Sequence, residues 1–159
     1  MNDFNAEWSL EQLNTFIVHA KSATYVGGGV QSLPYRPGSH DLQFHEGSFS
    51  YLDSYFGGAD FIGQEVVYFR EKPVWAMNYY GRILEPDRIA PAETGHVIQQ
   101  SLSEMYRQGR FLGGFEHAVG NSRYIDRSEG DVASLTGVER IERDGVEVYR
   151  LVYHGGLIK

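Results

Sequence analysis

The chain repeats one long strand-like pattern near its middle and at its C-terminus, and this repetition limits the folds open to it. Residues 73–84 read PVWAMNYYGRIL, and residues 147–158 read EVYRLVYHGGLI. A shift of 74 positions aligns three identical pairs: Val74 with Val148, Tyr79 with Tyr153, and Gly81 with Gly155. Glycines and aromatic residues that recur in one order predict two copies of a single structural unit.

The correspondence extends upstream of these two segments. The same shift pairs Gly63 with Gly137 and Glu65 with Glu139. With one residue slipped, the tripeptide ending at Asp53 (YLD) falls on the tripeptide ending at Asp126 (YID). Strands draw on a limited set of residues, so a coincidental match is the alternative. We favour an internal duplication of a helix followed by about four antiparallel strands, with halves 8–85 and 92–159.

Two helices are predicted from their end signals and apolar period. Ser9 and Gln12 have capping-box spacing ahead of a 3.6-residue apolar pattern, which predicts a helix over about 10–22. Pro91 suits a first helical position, and Gly109 is placed to end a second helix after about Gln108. The glycines at 27–29 would stop the first helix, and the proline-containing segment 30–43 is predicted to be a loop.

Runs of aromatic and β-branched residues predict the strands. In the first half they are Phe49–Phe56, Gly63–Arg70 and Val74–Leu84. In the second half they lie near 111–118, 121–127, 137–143 and 146–157, and Asp144-Gly145 is a hairpin signal. The fold class is therefore α+β, with two helices packed on antiparallel sheet in a single domain, 1–159. A cystatin-like or hot-dog-like sheet is the nearest analogy.

Composition and charge exclude several function classes. The formal net charge is −7, and only three of the 159 residues are lysine, so we expect no nucleic-acid partner. Cysteine is absent, which excludes disulfides and thiolate metal sites. No apolar run reaches the length of a membrane span or a signal peptide, so we expect no membrane association and a cytoplasmic location.

Three segments carry a resemblance to a known family. They are GSFSYLDSYFGG at 47–58, PVWAMNYYGRIL at 73–84, and YHGGLIK at 153–159. With these motifs most of residues 10–159 resembles a bacterial family of domains of unknown function, some of whose members follow a helix-turn-helix DNA-binding domain. The resemblance implies no activity, cofactor or catalytic residue. We expect no DNA-binding domain ahead of Ser9, and hence no regulator role carried over from the family.

Alternation along the two long strands predicts a core face and a candidate site. Trp75, Tyr79, Tyr149 and Tyr153 belong to the large apolar set expected beneath the helices. The opposite face offers polar and aromatic groups, with a glycine beside Tyr80 and beside His154 leaving room for a ligand. The predicted ligand-binding residues are Tyr80, Arg82, His154, Asn78 and Asp53. The alternative for this sheet face is a solvated or subunit-facing surface.

Residues that could support catalysis or bind a metal form no recognisable motif. Asp53 and Asp126 occupy equivalent places, which raises a paired-carboxylate hypothesis against commoner structural acids. The six histidines lack metal-ligand spacing, and the glycine clusters lack the P-loop pattern. The sequence predicts no metal and no cofactor, and the catalytic residues stay unknown.

The function that the sequence favours is a binding module for a small molecule or a protein partner. An antitoxin or immunity-type protein that neutralises a basic toxin is one alternative, because the chain is acidic and small. A small enzyme of the hydrolase or isomerase class is another, if the polar face closes into a pocket. A homodimer is among the partners that this composition allows.

Overall fold

A computed structural model describes residues 7–26 and 33–159, which form two helices, a π-helical turn and eight strands. The helices are α1 (Leu10–Lys21) and α2 (Pro91–Arg107), and the π-helical turn Ser22–Val26 continues α1. The strands of the first half are β1 (His40–Glu46), β2 (Phe49–Gly57), β3 (Phe61–Phe69) and β4 (Lys72–Ile83). Those of the second half are β5 (Phe115–Val119), β6 (Ser122–Asp131), β7 (Ser134–Arg143) and β8 (Val146–Leu157).

All eight strands form one antiparallel sheet in the order β1-β2-β3-β4-β8-β7-β6-β5. Each half is a four-stranded meander, and the two meanders join where β4 pairs with β8, with Tyr79 directly opposite Tyr153. The predicted α+β class, with two helices on antiparallel sheet, is confirmed. The internal duplication of the two halves stays a prediction.

Both helices begin at the predicted residues, α1 with its predicted capping box and α2 with Pro91 in its first turn. The Gln12 amide N–H donates to Ser9 Oγ at 3.1 Å, and the Ser9 amide N–H donates to the Gln12 side chain at 2.7 Å. At the start of α2 the Ala90 amide N–H donates to the Glu93 carboxylate. Gly109, with φ of +73°, follows α2 as predicted. The π-helical turn after α1 has no counterpart among the sequence predictions.

The core lies between the helices and one face of the sheet, which we call the inner face. Helix α1 packs against β1 and β2, and α2 packs against β5 and β6. Trp75 and Tyr149 are fully buried there, Tyr153 is 4% exposed, and Tyr79 is half-buried, as the face prediction requires. The Trp75 indole N–H donates to the Val132 carbonyl at 2.8 Å, which ties β4 to the β6–β7 turn.

The predicted loop at 30–43 is wrong in its last part. Residues 27–32 lie outside the described ranges, and 33–39 are irregular, but His40–Glu46 form the edge strand β1. This strand is rich in polar residues and follows two prolines, so its local signal is weak. It forms because β2 offers a hydrogen-bonding edge and because Leu42 packs inward. Residues 111–114 are also not a strand, since Gly113 and Gly114 both have positive φ.

Candidate functional site

The outer face of the sheet carries four of the five residues predicted to bind a ligand. Asn78, Tyr80 and Arg82 lie on β4 and His154 lies on β8, and all four are exposed. Asn78 is directly opposite His154 in the strand register. Asp53 instead lies on the inner face, where it is 2% exposed. The structure therefore does not bring the five residues into one pocket. Successive side chains of a strand point to opposite faces of the sheet, and Asp53 points to the face opposite the other four.

A row of exposed apolar side chains crosses the outer face beside these residues. Ile62 is opposite Tyr80, and Tyr80 is opposite Val152, with exposures of 54%, 45% and 49%. Exposed apolar groups in a row can contact another molecule. Ligand binding and subunit contact through this face both stay predictions.

A cavity of about 60 Å³ lies on the inner face, between the sheet and the helices. Its wall combines charged groups with aromatic and aliphatic side chains, and it draws on both halves of the chain. A concave, mostly apolar site with a few converging polar groups is the usual form of a small-molecule site. The polar residues of the wall are Lys21, Tyr25, Glu65, Tyr79, Tyr106, Asp126, Glu139 and Tyr153.

The acidic residues at the cavity come in cross-strand pairs, one in each half. Asp53 on β2 is directly opposite Glu65 on β3, and Asp126 on β6 is directly opposite Glu139 on β7. Like charges placed opposite each other destabilise a sheet when both are ionised. Three of these acids line the cavity, whereas Asp53 is not among the residues of its wall. The paired-carboxylate hypothesis matched the two aspartates, but each aspartate is paired here with a glutamate.

Each aspartate accepts a hydrogen bond from a tyrosine of a central strand. The Tyr79 hydroxyl donates to Asp53 Oδ1 at 2.5 Å, and the Tyr153 hydroxyl donates to Asp126 Oδ1 at 2.8 Å. The tyrosine rings reach across a glycine on the strand between. A Cβ added at Gly137 would lie 2.0 Å from the Tyr153 ring. The glycines that the repeat aligns therefore make room for the two tyrosine–aspartate bonds.

One ammonium group neutralises one of the four acids. Lys21 Nζ donates to both Glu65 carboxylate oxygens, at 2.6 and 2.9 Å, and both side chains are 7% exposed. The Tyr51 hydroxyl donates to the same carboxylate at 2.7 Å. A buried ion pair of this kind needs such additional hydrogen bonds to offset the desolvation of its charges. The Asp126–Glu139 pair has no equivalent direct ammonium contact among the described residues.

Burial raises the pKa of three of these carboxyl groups into the neutral range. The pKa of Asp53 rises to about 7, chiefly through burial and then through the charge of Glu65. Burial raises the pKa of Asp126 to about 6, although the Tyr153 hydrogen bond opposes the rise. Burial and the nearby Asp126 raise the pKa of Glu139 to about 8. Neutral-range carboxyls can exchange protons, or form salt bridges with a bound ligand, near physiological pH.

Metal chemistry finds no support in the arrangement of these acids. Over residues 7–26 and 33–159, no three His, Asp or Glu side chains are grouped closely enough to hold a metal ion. Besides the Lys21 ammonium, which Glu65 binds, the cavity offers carboxyl oxygens, tyrosine hydroxyls and aromatic rings. This chemistry suits the binding of a hydrogen-bond donor or a cation.

Sequence reasoning missed Lys21, Glu65 and Glu139 as site residues. The repeat had aligned Glu65 with Glu139 and Asp53 with Asp126, and this recurrence of acids at inward-facing strand positions was the available signal. Charged residues at such positions are uncommon in a core unless they are paired or functional. Lys21 gave no comparable signal, because a lysine in the last turn of a helix is ordinary.

A second cavity, of about 210 Å³, adjoins the first. Tyr25 and Phe61 line both cavities, so the two cavities meet at these residues. The second cavity lies between the π-helical turn, the β2–β3 turn and the start of α2. It adds no charged side chain to the described wall; the further lining residues are Tyr55, Gly57, Gly58, Ala59, Pro91, Thr94, Gly95 and Ile98.

The fold and the cavity define a class of α+β protein in which two helices and a long antiparallel sheet enclose a small cavity lined by acidic and aromatic side chains. The chain belongs to the DUF5680 family, described as a domain of unknown function, whose family model matches residues 53–158. The matched region begins at Asp53 and includes the other three acids of the cross-strand pairs, Glu65, Asp126 and Glu139. It does not include Lys21.

Comparisons with curated proteins and with solved structures found no match. In the part of the chain that the structure describes, neither helix has both the length and the apolar character needed to cross a membrane.

Proposed function

We propose that this chain is a small-molecule-binding module whose ligand occupies the cavity between the sheet and the helices. One observation carries the proposal: buried carboxyls and tyrosine hydroxyls from both halves converge with aromatic rings on one cavity. A core optimised only for stability gains little from four acids at inward-facing positions, because their burial carries a desolvation penalty. Polar groups retained at that penalty are typical of a binding site.

The adjoining cavity supports a ligand larger than the first cavity alone would hold. The first cavity is smaller than the roughly 150 Å³ cavity that accommodates benzene. A polar group could occupy the acidic cavity while an apolar extension passes Tyr25 and Phe61 into the second. Tyr25 lies in a π-helical turn, and such turns occur frequently at functional sites.

The proposal is tested by fragment binding to the wild type and to a cavity-filling variant. Leu151→Phe adds volume at the wall, since Leu151 is a buried residue that lines the cavity. A fragment set of cationic, neutral and anionic compounds is screened by ligand-observed NMR and thermal shift. At ten times Kd a ligand adds about 1.4 kcal/mol of stability, which raises the Tm by about 3–6 °C in a domain of this size. We expect Leu151→Phe to abolish the shift.

Val152→Phe is the matched control, because Val152 is the next residue of β8 but points to the outer face. It should keep both the fold, checked by circular dichroism, and the ligand-induced shift. Fragments that still bind the folded Leu151→Phe variant, or a screen without any hit that this variant removes, would contradict the proposal. The immunity-type and enzyme hypotheses stay predictions from the sequence.

A further inference from the structure

One residue of the cavity wall has a buried carboxylate oxygen with no hydrogen-bond partner. Asp126 is 2% exposed and lines the cavity, and its Oδ1 accepts from Tyr153. Its Oδ2 has no hydrogen-bond partner in the structure. Leaving a buried acceptor unpaired destabilises the folded protein, and more so when the acceptor is charged. This oxygen lacks a hydrogen-bond donor, and a ligand bound in the cavity could supply one.

The cationic groups of the chain that influence Asp126 are bound elsewhere. Lys21 donates to Glu65. Arg127 donates to the backbone carbonyl of Asp126 and pairs with the exposed Glu116. Arg110 donates to the carbonyls of Leu112 and Gly114.

The second acid of the pair adds to this unbalanced charge. Glu139 is directly opposite Asp126 and lines the same cavity. Ionising both would place two negative charges side by side in a half-enclosed space. A cation bound between them would relieve the repulsion and complete the hydrogen bonding of Asp126.

The aromatic wall favours an organic cation over an inorganic one. Phe61, Tyr79, Phe111 and Tyr153 line the same cavity as the acids, and ring faces attract ammonium groups. Lys21 already uses this wall, with its Nζ lying 5.4 Å from the centre of the Phe111 ring. A metal ion would need three or more ligands in one group, which the described residues do not provide.

We propose that the cavity binds the protonated amino group of a small organic amine, with Asp126 and Glu139 as its acceptors. The inference rests on the proposed function and names the ligand class for that same site. An apolar extension of the amine would pass Tyr25 and Phe61 into the adjoining cavity. A carboxylic acid is disfavoured, because it would face Glu65, Asp126 and Glu139 with only Lys21 to balance them.

The experiment compares matched probes by isothermal titration calorimetry at pH 8. The probes are 2-phenylethylamine and n-butylamine, their neutral analogues 2-phenylethanol and n-butanol, and the acids 3-phenylpropanoate and butyrate. We expect an amine to bind about tenfold or more tightly than its alcohol, with no binding of the acids. Asp126→Asn should weaken amine binding about tenfold or more, while its Oδ1 can still accept from Tyr153.

Glu129→Gln is the matched control for charge. Glu129 lies on the same strand and is exposed, so its loss removes one negative charge without touching the cavity. Amine affinity should stay within about twofold of the wild type. Glu139→Gln, an independent variant, should weaken amine binding as Asp126→Asn does, so the test does not depend on the folding of one variant.

A second readout is the pH dependence of amine binding. Affinity should rise between pH 6 and pH 8.5, because the acids ionise over this range while an alkylamine stays protonated. The field at the pair has contributions from Lys21 of α1, Glu65 of β3, Tyr124 and Arg127 of β6, Tyr153 of β8, and Arg110. Tyr25 of the π-helical turn, Tyr106 of α2 and Tyr149 of β8 also interact with these acids.

The outcomes separate this inference from the proposed function. Alcohols or acids that bind as tightly as the amines, and that Leu151→Phe excludes, would overturn the amine class and leave the cavity as a binding site. No binding of any probe or fragment would overturn both. Amine binding that Asp126→Asn and Glu139→Gln leave unchanged, or Glu129→Gln weakens equally, would also overturn the inference.

Discussion

At the scale of single residues, two glycines decide whether the buried tyrosines can reach their acids. Gly63 and Gly137 lie directly opposite Tyr79 and Tyr153 in the strand register. Any side chain at either glycine would occupy the space of a tyrosine ring. Neither glycine has a positive φ, so the backbone does not require glycine at these positions. Glycine is needed because a tyrosine side chain approaches closely.

Gly137→Ala should displace the Tyr153 ring and lengthen or break its hydrogen bond to Asp126. Overpacking of this kind costs about 1–3 kcal/mol, which a urea denaturation at pH 7 would measure. Gly95→Ala on α2 is the control, because an added Cβ there meets nothing within 4 Å. It should stabilise the protein by up to about 1 kcal/mol. Equal stability of wild type and Gly137→Ala would contradict the assigned role of the glycine.

At the scale of elements, β4 shows how one strand serves two environments. Trp75, Met77 and Tyr79 face the helices, while Asn78, Tyr80 and Arg82 are exposed on the outer face. The strand is held on both sides, by β3 and β8, and at its buried tryptophan by the bond to Val132. Its inner residues therefore contribute more to stability than its exposed outer residues do.

Trp75→Ala should lower the free energy of unfolding by about 3–5 kcal/mol, because it leaves a cavity beneath the helices and an unpaired Val132 carbonyl. Chemical denaturation monitored by circular dichroism would measure the loss. Tyr80→Ala on the same strand should change stability by about 0.5 kcal/mol or less, since Tyr80 is on the surface. Comparable losses in the two variants would refute the face assignment.

At the scale of the whole molecule, the buried acids link folding to pH. Asp53, Asp126 and Glu139 have folded-state pKa values of about 7, 6 and 8, all above those of an unfolded chain. A group whose pKa is raised by folding stabilises the protein below its unfolded pKa. That contribution is lost as the pH rises through the folded value.

We therefore expect a higher Tm at pH 5.5 than at pH 8.5. Each carboxyl that is protonated only in the folded state contributes a slope of about 1.4 kcal/mol per pH unit. Asp53→Asn should flatten the profile, because the amide stays neutral at every pH, whereas Glu129→Gln on the surface should not. Differential scanning calorimetry across this range gives the test, and a Tm that rises with pH would contradict the assignment.

The sequence by itself determined the type and order of both helices and of seven of the eight strands, because local signals specify them. Ser9 with Gln12 and Pro91 place the helix starts, and alternation around Trp75 and Tyr149 separates the core face from the outer face. The repeat also aligned the acids and glycines that later prove to share one arrangement. These signals depend on residues within a few positions of one another, or on a pattern that a single chain displays.

Tertiary structure alone decided the edge strand β1 and the candidate site. β1 forms because β2 offers it hydrogen-bonding partners, although its own residues read as loop. Asp53 and His154 were predicted to share a pocket, yet they lie on opposite faces, while Lys21 reaches Glu65 from a helix 44 positions away. Pairing across strands and the packing of helices onto a sheet bring distant residues together. Local sequence patterns do not specify which distant residues come into contact.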